Sequence, residues 1–237
     1  TKRICCPTNV MRTIAEMRGY LYSTDDDSLW VHHYAGSKLD DGRWCMKQKT
    51  EYPWTGHITL TVEKAPQNGT LRLRIPAWAD GFAVVINGSR QLVEATPGSY
   101  LALKHDWKPG DEVVLELPMR PRLMTANPKV EADRNQTAVM RGPIVYCLES
   151  VDLPEGIDLS EIVIPHDIRW EEKFEPELLG GVVTLTGKAS RVKQIGEGLY
   201  RPLDIEEPEE VTVRLVPYYA WANRGVGKMS VWLPIGW

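Results

Sequence analysis

From about residue 28 onward the apolar residues of this chain recur at every second position, and that period constrains the fold class more than any other feature. In His57-Ile58-Thr59-Leu60-Thr61-Val62 the residues Ile58, Leu60 and Val62 share one side, as in a strand with one buried face. Leu71-Arg72-Leu73-Arg74-Ile75-Pro76 repeats the alternation, and Phe82-Ala83-Val84-Val85-Ile86 runs into Asn87-Gly88, a pair that accepts two positive φ angles and so favours a hairpin. Tyr100 to Leu103 and Glu112 to Leu117 follow, separated by Lys108-Pro109-Gly110-Asp111. Short strands at this spacing, punctuated by Pro and Gly, predict an antiparallel sandwich.

A second strand-rich block begins after the polar stretch Asn127 to Gln136, with Thr137 to Met140, Ile144 to Leu148, Val182 to Thr186 and Val211 to Val216 as its clearest strands. The acidic connections Asp152 to Glu161 and Glu206 to Glu210 read as solvated loops. Met229 to Leu233 alternates once more and is expected to pair back into the first block. The fold class is therefore mainly β, with two antiparallel β-sandwich-like domains: residues 24–124 plus 225–237, and residues 125–224.

Residues 1–23 read differently. Val10, Ile14, Met17 and Leu21 recur at helical spacing with Arg12, Glu16 and Arg18 between them. Pro7 suits a first turn, and Thr8 and Asn9 are capping types. The spacing predicts a helix from about Pro7 to Tyr22, ended by the polar run Ser23 to Ser28. A helix of this length does not bury its stripe alone, so it must dock on the strands or on a further helical domain. Left uncovered, the stripe favours association with another copy.

Composition excludes several partners. Net charge is −4 with both signs interspersed, and no basic stripe is available to neutralise phosphates, which argues against nucleic acid. No apolar run approaches the roughly 20 residues that span a bilayer, so no membrane role is expected. The chain opens on Thr1 rather than Met and enters a reactive motif at once, which places the expected true N-terminus upstream and leaves the compartment unread.

That motif is Cys5-Cys6-Pro7-Thr8-Asn9. A helix start offers unpaired N–H groups and a partial positive charge, which favour a thiolate. Two adjacent thiolates repel unless a cation lies between them, and zinc suits two sulfur ligands. On the residues alone three arrangements stay open: half of a zinc site, two buried structural thiols, or a vicinal disulfide. Cys147, within Ile144-Val145-Tyr146-Cys147-Leu148, and Cys45, after Trp44, read as small core hydrophobes.

The motif resembles the Cys-Cys-Pro-Pro/Thr-Asn signature of glycoside hydrolase family 127, the β-L-arabinofuranosidases, a family of bacterial enzymes. Further landmarks follow in the family's order: Tyr52-Pro53-Trp54 with Gly56, Leu73 to Ala79, Val85-Ile86-Asn87-Gly88, Trp107 to Asp111, Leu117-Pro118-Met119, Arg141 to Tyr146, and Val216 to Gly225. The resemblance implies an (α/α)6 catalytic barrel, of which residues 1–23 would be the last part, followed by β-sandwich domains. It implies cleavage with retention on β-L-arabinofuranosides or related plant-polysaccharide sugars. It further implies that Cys5 is both nucleophile and zinc ligand, that Cys6 is a second ligand, and that an upstream glutamate and cysteine complete the zinc site. The general acid/base and most sugar contacts would also lie upstream, so the chain alone is expected to be inactive and to need the upstream barrel of the same protein.

Two non-catalytic readings compete: a β-sandwich module that binds carbohydrate through its nine tryptophans, or a domain that braces a catalytic barrel. An exposed row of coplanar indoles would favour binding; buried indoles favour scaffolding. His32 and His33 are neighbours on an expected strand and point to opposite faces, so one packed and one exposed histidine is expected rather than a site. Asp25-Asp26-Asp27 and Asp40-Asp41 read as turns.

Overall fold

The computed structural model describes residues 5–193, 198–200 and 208–236. The chain divides into two compact units, Thr1–Met119 and Arg120–Trp237.

The first unit opens on helix α1 (Cys5–Glu16), continued by a 3-10 turn, Met17–Tyr20. The α-helix itself thus ends at Glu16 and its 3-10 continuation at Tyr20, two residues before the expected Tyr22, which already starts a strand. Thr8 does not cap it from outside: its hydroxyl donates to the Cys5 carbonyl from within the first turn (3.0 Å). No residue of α1 is buried. Val10, Ile14 and Met17 are 58%, 65% and 53% exposed, so nothing among the described residues covers the predicted stripe.

The strands of this unit are β1 (Tyr22–Thr24), β2 (Ser28–Val31), β3 (Ser37–Asp40), β4 (Cys45–Thr50) and β5 (His57–Lys64), then β6 (Thr70–Arg74), β7 (Ala83–Ile86), β8 (Ser89–Gln91), β9 (Tyr100–Lys104) and β10 (Asp111–Glu116). They form a four-stranded sheet, β1-β2-β6-β9, and a six-stranded sheet, β3-β4-β5-β10-β7-β8. Alternation turns into packing through register. In the larger sheet Leu60 lies opposite Val113 and Ile58 opposite Leu115, with Val84 beside Leu115. In the smaller one Leu29 and Val31 lie opposite Leu71 and Leu73, which in turn face Leu103 and Leu101. These side chains join one hydrophobic core with Trp44 and Trp107. Nine of them, Leu29, Val31, Ile58, Leu60, Leu71, Leu73, Val84, Val113 and Leu115, are fully buried; each such burial is worth about 1.5–3 kcal/mol.

The turns follow their residues. Asn87 and Gly88 have φ of 49° and 77° and close a two-residue hairpin between Ile86 and Ser89. At Gly56 an added Cβ would meet the Leu117 carbonyl oxygen at 1.8 Å, so the backbone after Tyr52-Pro53-Trp54 approaches Leu117 as only glycine allows.

The second unit contains β11 (Pro121–Met124), β12 (Gln136–Arg141), β13 (Ile144–Glu149), β14 (Ile162–Pro165), β15 (Glu171–Glu175), β16 (Val182–Arg191), β17 (Glu209–Pro217), β18 (Met229–Ser230) and β19 (Leu233–Gly236). They belong to a single sheet, ordered β11-β12-β19-β14-β16-β17-β13-β18, with β15 beside β16. Because β12 also pairs with β13, the path β12-β19-β14-β16-β17-β13 returns to its start. The sheet curls around its own core, which includes Tyr146, Leu148, Ile162, Leu185, Val213 and Leu215.

Three expectations about this half need correction. The last strands do not return to the first block: β18 pairs with β13, and β19 lies between β12 (antiparallel) and β14 (parallel). Residues 225–236 therefore belong with the second unit. The reason is geometric, since β19 fills the slot between two strands that nothing else bridges. The boundary also moves, from 124 to Met119, because Pro121 to Met124 pairs with β12 rather than with the first unit. Finally, the acidic connection Asp152 to Glu161 is not uniformly solvated. Glu149 and Glu161 are buried, the Asp152 side chain is 3% exposed, and each has an arginine partner. Arg224 bonds both Glu149 and Asp152, Arg214 bonds Asp152 (2.8 Å), and Arg191 bonds Glu161 (2.6 Å). A buried carboxylate persists only when so paired. In the other acidic run residues 206–207 lie outside the described residues, while Glu209 and Glu210 open β17.

Candidate functional site

Cys5 and Cys6 are the first two residues of α1, both free thiols and both exposed. Their sulfur atoms are 3.7 Å apart. That separation is longer than the S–S bond of a disulfide, about 2.05 Å, and neither side chain is buried by the described residues. Two ligands of one tetrahedral zinc, each with a Zn–S bond of about 2.3 Å, lie about 3.8 Å apart, so the donor pair fits one metal ion. It supplies half of the usual four ligands. No group of three or more His, Cys, Asp or Glu that could hold a metal occurs among the described residues.

The remaining cysteines have the opposite character. Cys147 is 1% exposed in β13, and burial pushes its thiol up to about 12, as for an inert core residue. Cys45 is buried as expected, but its sulfur also donates to Glu63 (3.1 Å), which is paired with Lys47 (2.6 Å) and Lys38 (3.0 Å). The lysine partners and the Cys45 contact draw the Glu63 carboxyl down to about 2, and Glu63 in turn raises the Cys45 thiol. Alternation in β3, β4 and β5 places Lys38, Lys47 and Glu63 on the solvent side of the larger sheet beside the buried Cys45, a cluster that sequence spacing did not reveal.

His32 and His33 separate as predicted, although β2 ends before them. His33 is exposed; His32 is half-buried, bonded to the Tyr100 hydroxyl (2.5 Å) and to Ser23 (2.8 Å). Burial, then the neighbouring His33 and Arg74, lowers the His32 pKa. Asp25 caps a turn by accepting from the Ser28 N–H (2.7 Å), and Asp41 accepts from the Trp44 N–H (2.7 Å), so both acidic runs are turn-forming. Among the described tryptophans only Trp221 is classed as exposed, at 40%. Trp44 and Trp107 are core residues, and Trp30 lies under Arg72 (4.6 Å) with its edge toward Tyr100. No row of exposed indoles exists among them.

No described helix is long and apolar enough to cross a membrane.

Comparison with known proteins covers nearly the whole chain. Residues 28–119 match the β-L-arabinofuranosidase GH127 middle domain, and residues 121–234 match the glycoside hydrolase family 127 C-terminal domain. A non-reducing end β-L-arabinofuranosidase of Bifidobacterium longum subsp. longum is 36% identical over 245 residues, 96% of this chain. Among solved structures, a GH127 β-L-arabinofuranosidase from Geobacillus stearothermophilus T6 shares 41% identity with a TM-score of 0.88 over 99% of the chain. A GH127 β-arabinofuranosidase shares 35% identity with a TM-score of 0.86 over the same share. The chain spans 36% of the curated relative and 38% and 39% of these two structures. The chain belongs to glycoside hydrolase family 127, of which it carries the middle and C-terminal domains.

Proposed function

We propose that this chain is the C-terminal part of a retaining glycoside hydrolase that releases β-L-arabinofuranosyl units, with Cys5 as its nucleophile and Cys5 and Cys6 as two ligands of a zinc ion. The observation that carries the reading is the pair of exposed thiols at the start of α1, 3.7 Å apart. Family membership and the named activities of the relatives support it. The chain's share of their length supports a further catalytic region upstream, which would also cover the Val10, Ile14 and Met17 stripe.

The chemistry follows from sulfur. Cys5 as thiolate attacks the anomeric carbon while the leaving oxygen takes a proton from a carboxylic acid outside this chain. A glycosyl–sulfur bond forms as the glycosidic bond breaks. Water then displaces the sulfur from the opposite face, its proton returns to the carboxylate, and configuration is retained. Zinc, when bound, keeps the thiol ionised at neutral pH. Cys6 does not attack: it holds its neighbour's geometry as a second donor.

The test is turnover of an activated β-L-arabinofuranoside by the longer protein, with zinc content measured on the same samples. Cys5→Ser is expected to lower turnover by about 10⁴-fold or more, because a serine hydroxyl is neither a thiolate nor a good zinc ligand. Cys6→Ser is expected to lose zinc first and to regain part of its rate in excess zinc. Normal turnover by the Cys5 variant would remove the proposed nucleophile. The 237-residue chain alone is expected to show no turnover.

Bracing describes the β units better than sugar capture by a row of tryptophans, because Trp44 and Trp107 are spent in the core.

A further inference from the structure

The second unit holds an open cleft of about 650 Å³ between the start of β12, the 3-10 turn Leu159–Glu161, β18 and β19. This volume lies within the range of about 300–1,000 Å³ typical of small-molecule sites. The apolar residues Trp232, Leu159, Met229 and Pro234 share the lining with polar ones. Its charged residues are Asp158 and Lys228, which form an ion pair of 2.5 Å. Their charges cancel within the lining, so an anion or a cation gains no net attraction there. Hydrogen-bonding capacity nonetheless remains. Asp158 Oδ1 accepts from the Ser160 N–H (3.0 Å) and hydroxyl (2.8 Å), and Oδ2 accepts from Lys228. One lone pair of Oδ2 is left over, and the ammonium retains two further N–H donors. Gln136 and Ser230 add neutral polar groups on the same lining.

Several wall residues are tied to the fold, while the Lys228 and Asp158 side chains stand 71% and 42% exposed. Ser230 donates to the Trp232 carbonyl (2.5 Å), Gln136 lies in register with Pro234, and the Lys228 N–H is held by Ser150 (3.0 Å). The Lys228 bond, aided by Ser160, also holds the Asp158 carboxyl well below the usual carboxylate range, so the acceptor stays ionised across ordinary pH.

An aromatic and aliphatic wall beside a charge-neutral set of donors and acceptors suits a ligand with an apolar face and a hydroxylated edge. We propose that this cleft is a binding site for a neutral saccharide, with a sugar ring against Trp232 and its hydroxyls on Asp158, Lys228 and Gln136. Only the choice of arabinose as the sugar rests on the glycosidase reading above.

The experiment is titration calorimetry of the 237-residue chain with an L-arabinose trisaccharide and, as a charged comparator, a galacturonic acid trisaccharide. The neutral sugar is expected to bind with Kd near ~1 mM, and Trp232→Ala to weaken it about tenfold at an unchanged melting temperature, with Trp232→Phe restoring most of the affinity. Where Trp232→Ala does not fold, the side-chain N–H signals of Trp232 and Gln136 in the unaltered chain are expected to shift on adding sugar. Three results would overturn the proposal: no binding at about 10 mM, unchanged affinity in a folded Trp232→Ala chain, or tighter binding of the charged trisaccharide. Shifts confined to other residues would do the same. Trp232→Ala in the longer protein is expected to leave turnover of a small activated arabinofuranoside unchanged, so failure of this site and failure of the Cys5 mechanism are separately visible.

Discussion

The helix at the start of the first unit and the strands that follow it use the same residue types to opposite ends. In α1 the apolar side chains Val10 and Ile14 stand more than half exposed, while Leu71 and Leu73 in β6 are fully buried. Cysteine divides the same way: Cys5 and Cys6 are exposed on the helix, whereas Cys45 and Cys147 are buried in strands. Hydrophobicity thus states a demand for cover, and partner geometry decides whether that demand is met within a segment. Strands meet it from neighbours in register. Helix α1 finds no such neighbour among the described residues, and its two thiols are left exposed there.

The sharpest way to break this contrast is chemical. Burial raises the Cys147 thiol to about 12, so its reactive thiolate is far scarcer than that of an ordinary cysteine. Iodoacetamide is therefore expected to modify Cys5 and Cys6 in the folded chain and to reach Cys147 only on unfolding, as peptide mass mapping would show. Equal labelling of Cys147 under native conditions would end the comparison. Packing gives the next effect. Leu73→Ala is expected to cost about 2–5 kcal/mol in chemical denaturation, whereas Ile14→Ala should change stability by no more than about 0.5 kcal/mol. A large, concentration-dependent cost for Ile14→Ala would instead mean that a second copy covers the stripe in solution.

The smallest effect concerns the charged cluster on the outer face of β4 and β5. The Glu63 carboxyl falls from its ordinary 4.5 to about 2 in the folded chain. A depressed carboxylate stabilises the fold above its unfolded pKa and loses that contribution as pH falls through the folded one. The melting-temperature gap between the unaltered chain and Glu63→Gln is expected to be full at pH 7 and to close between about 4.5 and 2. The pair is solvent-exposed and screened by salt, so the gap should be modest and smaller still at high ionic strength. A gap that persists at pH 2 would assign the effect to packing rather than charge.

Local features were legible in the sequence because their causes are local. The alternation of Ile58, Leu60 and Val62 specifies a face, and Asn87-Gly88 specifies a turn whatever lies elsewhere. Cys5-Cys6-Pro7 marks a helix start for the same reason. What escaped depends on partners distant in the chain. Asp152 looked solvated because its partner Arg224 lies 72 residues away, and no spacing rule joins them. The destination of β19 was misread because alternation says which side of a strand is buried and nothing about which edge it completes. The cleft lined by Asp158, Lys228 and Trp232 is invisible for both reasons together, since it forms only when β19 has found its slot.

That slot has a consequence for synthesis. The first unit has all of its strands once Met119 has been made, whereas β12 and β14 stay unbridged until residue 236 emerges. At about 5–20 residues per second the stretch from Pro165 to Gly236 takes about 4–14 seconds, during which the backbone groups that await β19 lie open to pairing with other chains. A nascent chain stalled before Leu233 should therefore carry unpaired backbone groups at Gln136, Thr137, Ile164 and Pro165 while its first unit already has all of its strands.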